Sequence, residues 1–358
     1  MRYPKPLTDG GTIGFVAPSF GASIEPYKSA FQNALEHFHA MGYRTKLGPN
    51  CYASDGIGIS TKPALCGKEL NDMYKDPETD VLMACGGGEL MCEVVPHIDW
   101  DLIRKCEPKW YLGYSDNTNF TFLSTIMADT AAIYGPCAPS FGMEPMGESL
   151  SDALAVLRGE TRVHNYSKWE KESLKDEEHP TVPYNLTEEY RQRIFVAEQP
   201  LAKTEDPAVP TAMREIDSVS LEGRLLGGCA DILSVLCGTR YDRVGDFLER
   251  YREDGFIWFL ECCDLNPLSV RRMLFQLKEA GWFRYVKGFL FGRPLHFGEE
   301  MMGLDMVSAV TGCLGELGVP ILMDLDFGHL PPQMPLISGA IAKVNAADNC
   351  LMIEHILR

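Results

Sequence analysis

The sequence predicts an α/β protein: a mainly parallel sheet first, then a second unit rich in strands. Short β-branched or aromatic runs alternate with helical patterns through residues 1–158, as βαβ units require. Further on, Gly255-Phe256-Ile257-Trp258-Phe259-Leu260-Glu261 is a nearly continuous apolar run, the mark of a strand buried on both faces. Between these regions, residues 159–217 change composition. They carry the charged runs Lys168-Trp169-Glu170-Lys171-Glu172 and Lys175-Asp176-Glu177-Glu178, with prolines at Pro180, Pro183, Pro200, Pro207 and Pro210. This divides the chain into an N-terminal domain (1–158), a linker with cleft-covering loops (159–217) and a C-terminal domain (218–358).

Each element has a local reason. Thr12-Ile13-Gly14-Phe15-Val16-Ala17 is a first strand ended by Pro18-Ser19. From Pro26 to Met41, Tyr27, Phe31, Ala34, Leu35 and Phe38 share one helical face, and Gly42 stops the helix. Asp80-Val81-Leu82-Met83-Ala84-Cys85 forms a strand running into Gly86-Gly87-Gly88. Trp110-Tyr111-Leu112-Gly113-Tyr114 forms another, with a helix starting near Asn119. In the second unit, Leu221–Gly228 gives a strand and turn before a short helix through Leu236. A helix over Leu268–Ala280 turns Val270, Met273, Leu274 and Leu277 inward, and strands follow at Gly288–Gly292 and from Pro320.

Composition narrows the function. Of 358 residues, 45% are hydrophobic and 23% charged, enough for a sizeable core and unlike a disordered chain. The net charge of −17 repels phosphate backbones and anionic lipid, which argues against nucleic-acid and membrane-surface partners. No apolar run approaches the roughly 20 residues of a membrane span. The first residues, Met1 to Pro6, lead to Asp9-Gly10-Gly11 without the apolar core of a signal peptide, so a cytoplasmic protein is expected. The twelve cysteines include no C-x-x-C pair, the spacing that zinc ribbons and thioredoxin-type sites need. Most are expected to be small buried hydrophobes in a reducing compartment.

Four features bear on chemistry. Gly113-Tyr114-Ser115-Asp116-Asn117-Thr118 lies between a strand and a helix, where a serine hydroxyl projects and helical N–H groups favour developing negative charge. It resembles a nucleophile elbow but has Asn117 where G-x-S-x-G ends in glycine. Alternatively, Ser115 or Asp116 caps the helix. Gly86-Gly87-Gly88 lets backbone N–H groups approach a ligand oxygen, or is simply a tight turn; it lacks the G-x-G-x-x-G of a dinucleotide loop. His329, in the loop after the strand from Pro320, is a candidate general base or a structural histidine. Glu261, ending an apolar strand, is either a surface carboxylate or a buried one partnered by an imidazole. In chain order, Ser115, Glu261 and His329 are compatible with a triad assembled from two domains. A cysteine hydrolase using Cys85 is a more distant alternative, since Cys85 sits within a strand.

The chain resembles the LD-carboxypeptidase family of serine peptidases, which also holds the microcin C immunity peptidases. The resemblance rests on Thr12–Ser19, Gly87-Gly88 with Pro96 and Asp99, Gly113–Asp116, Tyr134-Gly135-Pro136, Leu226-Gly227-Gly228, Leu260-Glu261, Arg271 with Leu277, Gly292-Arg293-Pro294 and Gly328-His329. It implies a Rossmann-like N-terminal domain and a smaller β-rich C-terminal α/β domain. It implies a catalytic triad of Ser115, Glu261 and His329, an oxyanion hole from the N–H groups of Gly88 (or Gly87) and Asp116, and a homodimer. Neither a metal nor an organic cofactor is implied. The implied substrate is the amide before the terminal D-amino acid of a murein tetrapeptide, or the acyl link of a peptidyl- or aminoacyl-nucleotide. A non-catalytic ligand-binding protein, with Ser115 as a helix cap, is the rival from another class. The chain departs from the family in placing Cys229, not asparagine, after Gly227-Gly228. Residues 159–217 resemble the longer loop of the microcin-immunity branch, with Trp169 as a candidate nucleobase platform or a packing anchor.

Overall fold

The computed structural model describes residues 1–56, 58–198 and 212–358. Five strands, Thr12–Val16, Arg44–Leu47, Val81–Ala84, Tyr111–Gly113 and Ala132–Tyr134, form the parallel part of the first sheet in the spatial order 2-1-3-4-5. Every residue of Thr12–Val16 and Val81–Ala84 is buried, which accounts for their unbroken apolar runs. The helix Tyr27–Ala40 buries Ala30, Phe31, Ala34 and Phe38, and the Phe31 ring meets Phe15 edge-on at 5.2 Å. In this strand order the direction of winding reverses between the first and third strands. Ligands of open α/β sheets lie outside the carboxyl ends of the strands at that point. Pro18-Ser19-Phe20 and Gly86-Gly87-Gly88 leave the sheet there, held together by the Phe20 N–H donating to the Gly87 carbonyl at 2.8 Å.

Among the described residues the second sheet has nine strands. Its centre is parallel: Ser218–Cys229, Phe256–Glu261, Val286–Gly292 and Ile321–Leu325 lie side by side. Antiparallel strands Ile341–Ala347 and Cys350–Ile356 extend it beyond Ser218–Cys229. All six residues of Phe256–Glu261 are buried. Between the sheets runs the helix Thr118–Ala128, in which every residue but Met127 is buried. It packs on Ser218–Cys229, and Phe122 stacks on Trp282 at 5.4 Å. A helix enclosed on all sides cannot show a polar stripe, so its sequence lacks the usual amphipathic signature.

Residues 159–217 differ from the loops expected of them. Arg162–His164 pairs with Cys350–Ile356 at one edge of the second sheet, and Arg193–Ala197 pairs with Ile321–Leu325 near the other, followed by Met213–Ile216. Lys168–Glu170 and Leu186–Glu189 form a separate hairpin. Arg162–His164, Leu186–Glu189 and Met213–Ile216 are edge or hairpin strands with polar, partly exposed residues that no apolar run announces, whereas Arg193–Ala197 lies inside the sheet and buries Ile194 and Phe195. Of the prolines noted there, Pro200, Pro207 and Pro210 lie outside the described residues. A return connection also escapes the sequence: Leu336–Ser338, from the second half, pairs antiparallel with Ala132–Tyr134 on the first sheet. Among the described residues no helix is long and apolar enough to cross a membrane. Seven of the twelve cysteines are buried.

Candidate active site

The site forms where the carboxyl ends of the two parallel sheets face each other. Ser115 follows Tyr111–Gly113 and opens a single helical turn, Ser115–Asn117, before the helix Thr118–Ala128. Its φ of 61° is in the left-handed region, uncommon for a residue with a side chain and kept only where neighbours enforce it. Two bonds do so. The Ser115 N–H donates to the Tyr134 hydroxyl at 3.1 Å, and the Asn117 N–H donates to the Tyr114 carbonyl at 3.2 Å. Ser115 is not a helix cap through its side chain, because its hydroxyl turns to His329.

The Asp116 side chain serves as a brace. It is buried, and accepts from the Met91 N–H at 2.8 Å, the Asn119 amide at 2.9 Å and the Ser19 hydroxyl. Burial pushes its carboxyl above the ordinary range against the pull of these donors. Asn117, the departure from the elbow pattern, donates to the Gly86 carbonyl at 2.7 Å and accepts from the Tyr111 hydroxyl at 2.5 Å. The glycine loop is thereby drawn against the nucleophile turn: a Cβ on Gly87 would sit 3.2 Å from the Ser115 Oγ. Among the described residues, the N–H groups of Gly88 and Asp116 donate to no backbone acceptor outside their own elements.

His329 lies four residues beyond Ile321–Leu325, with its side chain 12% exposed. Its Nε2 is 2.9 Å from Ser115 Oγ and its Nδ1 is 2.7 Å from Glu261 Oε2. Glu261 ends Phe256–Glu261 and is fully buried, which excludes the surface carboxylate. Its other oxygen accepts from the Tyr134 hydroxyl. Burial works against charge on Glu261, but the facing His329 charge and the bonds from His329 and Tyr134 outweigh it and hold the carboxyl below its usual range. Burial likewise opposes a charged His329; the Glu261 carboxylate, with the Cys263 thiol beside the ring, reverses this and raises the imidazole well above its ordinary value. Gly328 has φ +106°, and a Cβ there would come within 2.7 Å of Glu261 Oε2, so the approach to His329 admits only glycine.

The structure thus brings Ser115, Glu261 and His329 into one hydrogen-bonded row, with Gly87, Gly88 and Asp116 beside the serine. Cys85 lies just beyond its strand, fully buried, and its thiol is raised well above the ordinary range by burial, the reverse of an activated nucleophile. Trp169 is not open. It is 5% exposed, with the Arg293 guanidinium 4.4 Å over its ring and the Phe297 ring centroid at 5.0 Å. Cys229 is buried, and its N–H donates to the Thr118 hydroxyl at 2.9 Å, tying the second sheet to the central helix. Neither Tyr134 nor Asn117 has a role that the sequence alone makes visible. Their partners are distant in the chain or set by the turn, and the one general signal is that a buried tyrosine hydroxyl needs a partner.

Comparison with known proteins gives a consistent family. The model described as the LD-carboxypeptidase N-terminal domain matches residues 13–135, and that of the LD-carboxypeptidase C-terminal domain matches residues 222–344. A Vibrio cholerae protein named as a candidate carboxypeptidase is 25% identical, with 99% of this chain and 98% of that protein covered. The "Probable murein peptide carboxypeptidase" of Bacillus subtilis is 24% identical, covering 98% of this chain and 94% of that one. Among solved structures, the microcin C7 self-immunity protein MccF in complex with aspartyl sulfamoyl adenosine has the same fold, with a TM-score of 0.79 at 22% identity, covering 99% of this chain and 98% of that one.

Proposed function

The chain belongs to the LD-carboxypeptidase family, and from that premise we propose that it is a serine peptidase acting through Ser115, His329 and Glu261. One observation carries the reading: a single imidazole within hydrogen-bonding distance of both a strained serine hydroxyl and a buried carboxylate. Ser115 Oγ bonds to the substrate carbonyl carbon as its proton passes to His329 Nε2. The carbonyl oxygen, now negative, is held by the N–H groups of Gly88, or Gly87, and Asp116. The C–N bond then breaks and Nε2 returns the proton to the leaving amine. Water attacks the acyl-enzyme, gives its proton to Nε2, and Ser115 recovers it as the acid leaves. Glu261 holds Nδ1–H, fixes the tautomer and stabilises the imidazolium at each proton transfer.

The substrate reading we favour is the amide before the terminal D-amino acid of a murein tetrapeptide. It draws on the family and on the name of the Bacillus subtilis relative. The aminoacyl-nucleotide reading draws on the ligand of the MccF structure, but Trp169, the aromatic platform the sequence offers for a base, is covered by Arg293. Parallel assays on a murein tetrapeptide and an aminoacyl-sulfamoyl adenosine separate the two. Release of the terminal D-amino acid supports the first; cleavage of the nucleotide alone overturns it. Labelling by a serine-directed phosphonate is expected to add covalent mass at Ser115 and none in Ser115→Ala. Silence at saturating reagent favours the ligand-binding protein.

A further inference from the structure

Tyr134 makes contacts that packing alone does not demand. Its ring is buried at the end of Ala132–Tyr134, the strand next to the one that carries Ser115. Its hydroxyl oxygen accepts the Ser115 N–H at 3.1 Å, while its proton goes to Glu261 Oε1, the oxygen that His329 does not use. One hydroxyl therefore joins the backbone of the serine, on the first sheet, to the carboxylate on the second. The bond has two effects. It occupies the Ser115 N–H, which is then no donor for an oxyanion. It also gives the buried carboxylate a second donor when the imidazole is neutral, the state in which His329 can take a proton.

We propose that Tyr134 is a positioning residue of the reaction, locking the Ser115 turn to Glu261 and supporting the ionised carboxylate beside a neutral imidazole. The inference rests on the serine-peptidase reading. The titratable groups around the Glu261–His329 pair are Cys229 on the neighbouring strand, Cys262 and Cys263 in the turn that follows, with Asp231 near these thiols, and, on the imidazole side, Tyr114 with its ring 5.1 Å away and the exposed Glu89 carboxylate. The Cys229 thiol also reaches the carboxylate, but a thiol is a weak donor and this one lies 3.4 Å from Asp231 Oδ2, while Cys263 faces His329, so neither takes the place of the Tyr134 hydroxyl. Removing the hydroxyl destabilises the pair Glu261⁻/neutral His329 more than Glu261⁻/His329⁺, since in the second the carboxylate keeps a charged partner. The pair must then hold its proton more tightly.

The test is Tyr134→Phe, assayed on the substrate that the wild-type protein cleaves. A hydrogen bond to a charged group predicts a fall in kcat of about 10- to 100-fold, with KM within about twofold of wild type. The acid limb of kcat/KM should move to higher pH. Fluorotyrosine at position 134 keeps the shape and is a stronger donor, so its acid limb should move to lower pH. An unchanged profile in both variants overturns the proposal, as does a fall in kcat with the limb unmoved, which marks a structural role only. Ser115→Ala, run alongside, separates the failures. Turnover retained there removes the serine-peptidase reading itself, whereas loss there with an unaltered Tyr134→Phe removes only this inference.

Discussion

The side-chain amide of Asn117 donates to the carbonyl of Gly86 at 2.7 Å, so the turn presenting Ser115 and the glycine loop beside it move as one body. Donors for an oxyanion are effective when their positions are fixed before charge develops. The bond spans 31 residues and uses the one position where the turn departs from the nucleophile-elbow pattern.

Asn117→Ala removes that bond and leaves the buried Tyr111 hydroxyl without its acceptor. An unsatisfied buried polar group costs about 1–3 kcal/mol. Chemical denaturation should read that loss of stability. Turnover should fall by about tenfold or more as the glycine loop loosens, with a well-folded circular dichroism spectrum.

Glu261→Gln tests the pH dependence. In the wild-type protein the carboxylate raises His329, so the neutral imidazole needed to take a proton accumulates only above the ordinary histidine value, and kcat/KM should climb through that higher range. Replacing the charge removes the cause. The acid limb should shift to lower pH while kcat falls by about 10⁴-fold, as for the corresponding change in other serine triads. A pH–rate profile of both proteins checks the sign.

Gly328→Ala places a methyl group 2.7 Å from Glu261 Oε2 on a backbone at φ +106°. Either His329 or Glu261 must move, and displacements near 1 Å in a reacting group cost about 100-fold. The rate of phosphonate labelling at Ser115 should drop by that order, whereas an alanine change at Gly42, beyond the first helix where a Cβ meets nothing within 4 Å, should not alter it.

His355 offers a stability test remote from the site. It is buried, its Nε2 accepts from the Ile337 N–H at 3.3 Å, and burial lowers its pKa to about 4. Between that value and the unfolded value near 6.5, the unfolded chain binds the extra proton. Stability therefore falls as pH drops from about 6.5 to 4, by an amount on the order of 3 kcal/mol. Denaturation of His355→Gln should show a shallower loss than the wild-type protein across that window. Asp326, raised by burial to about 6, acts in the opposite sense in both proteins and cancels in the difference.

The central strands of both sheets were legible because each buries a short unbroken apolar run, as in Phe256–Glu261 and Val81–Ala84. The meeting of Ser115, Glu261 and His329 was legible in outline, since each ends a strand or follows one and their residue types suit one another. Polar edge strands were not. Arg162–His164 and Leu186–Glu189 show water one or both faces and carry no period-2 apolar signal. Nor were Tyr134 and Asn117, whose roles depend on partners that only the assembled sheets bring near. The enclosed helix Thr118–Ala128 showed no stripe because it has no wet side.

The strand Leu336–Ser338 crosses back from the second half to cover the edge of Ala132–Tyr134, and the early strand Arg162–His164 closes the far edge of the nine-stranded sheet. The two halves are laced through each other at their margins. Severing the chain near residue 217 would therefore not release two self-sufficient pieces. The front piece would bare a raw strand border beside Tyr134, the rear piece would lose its outer stave, and only co-expression of both could restore the seam.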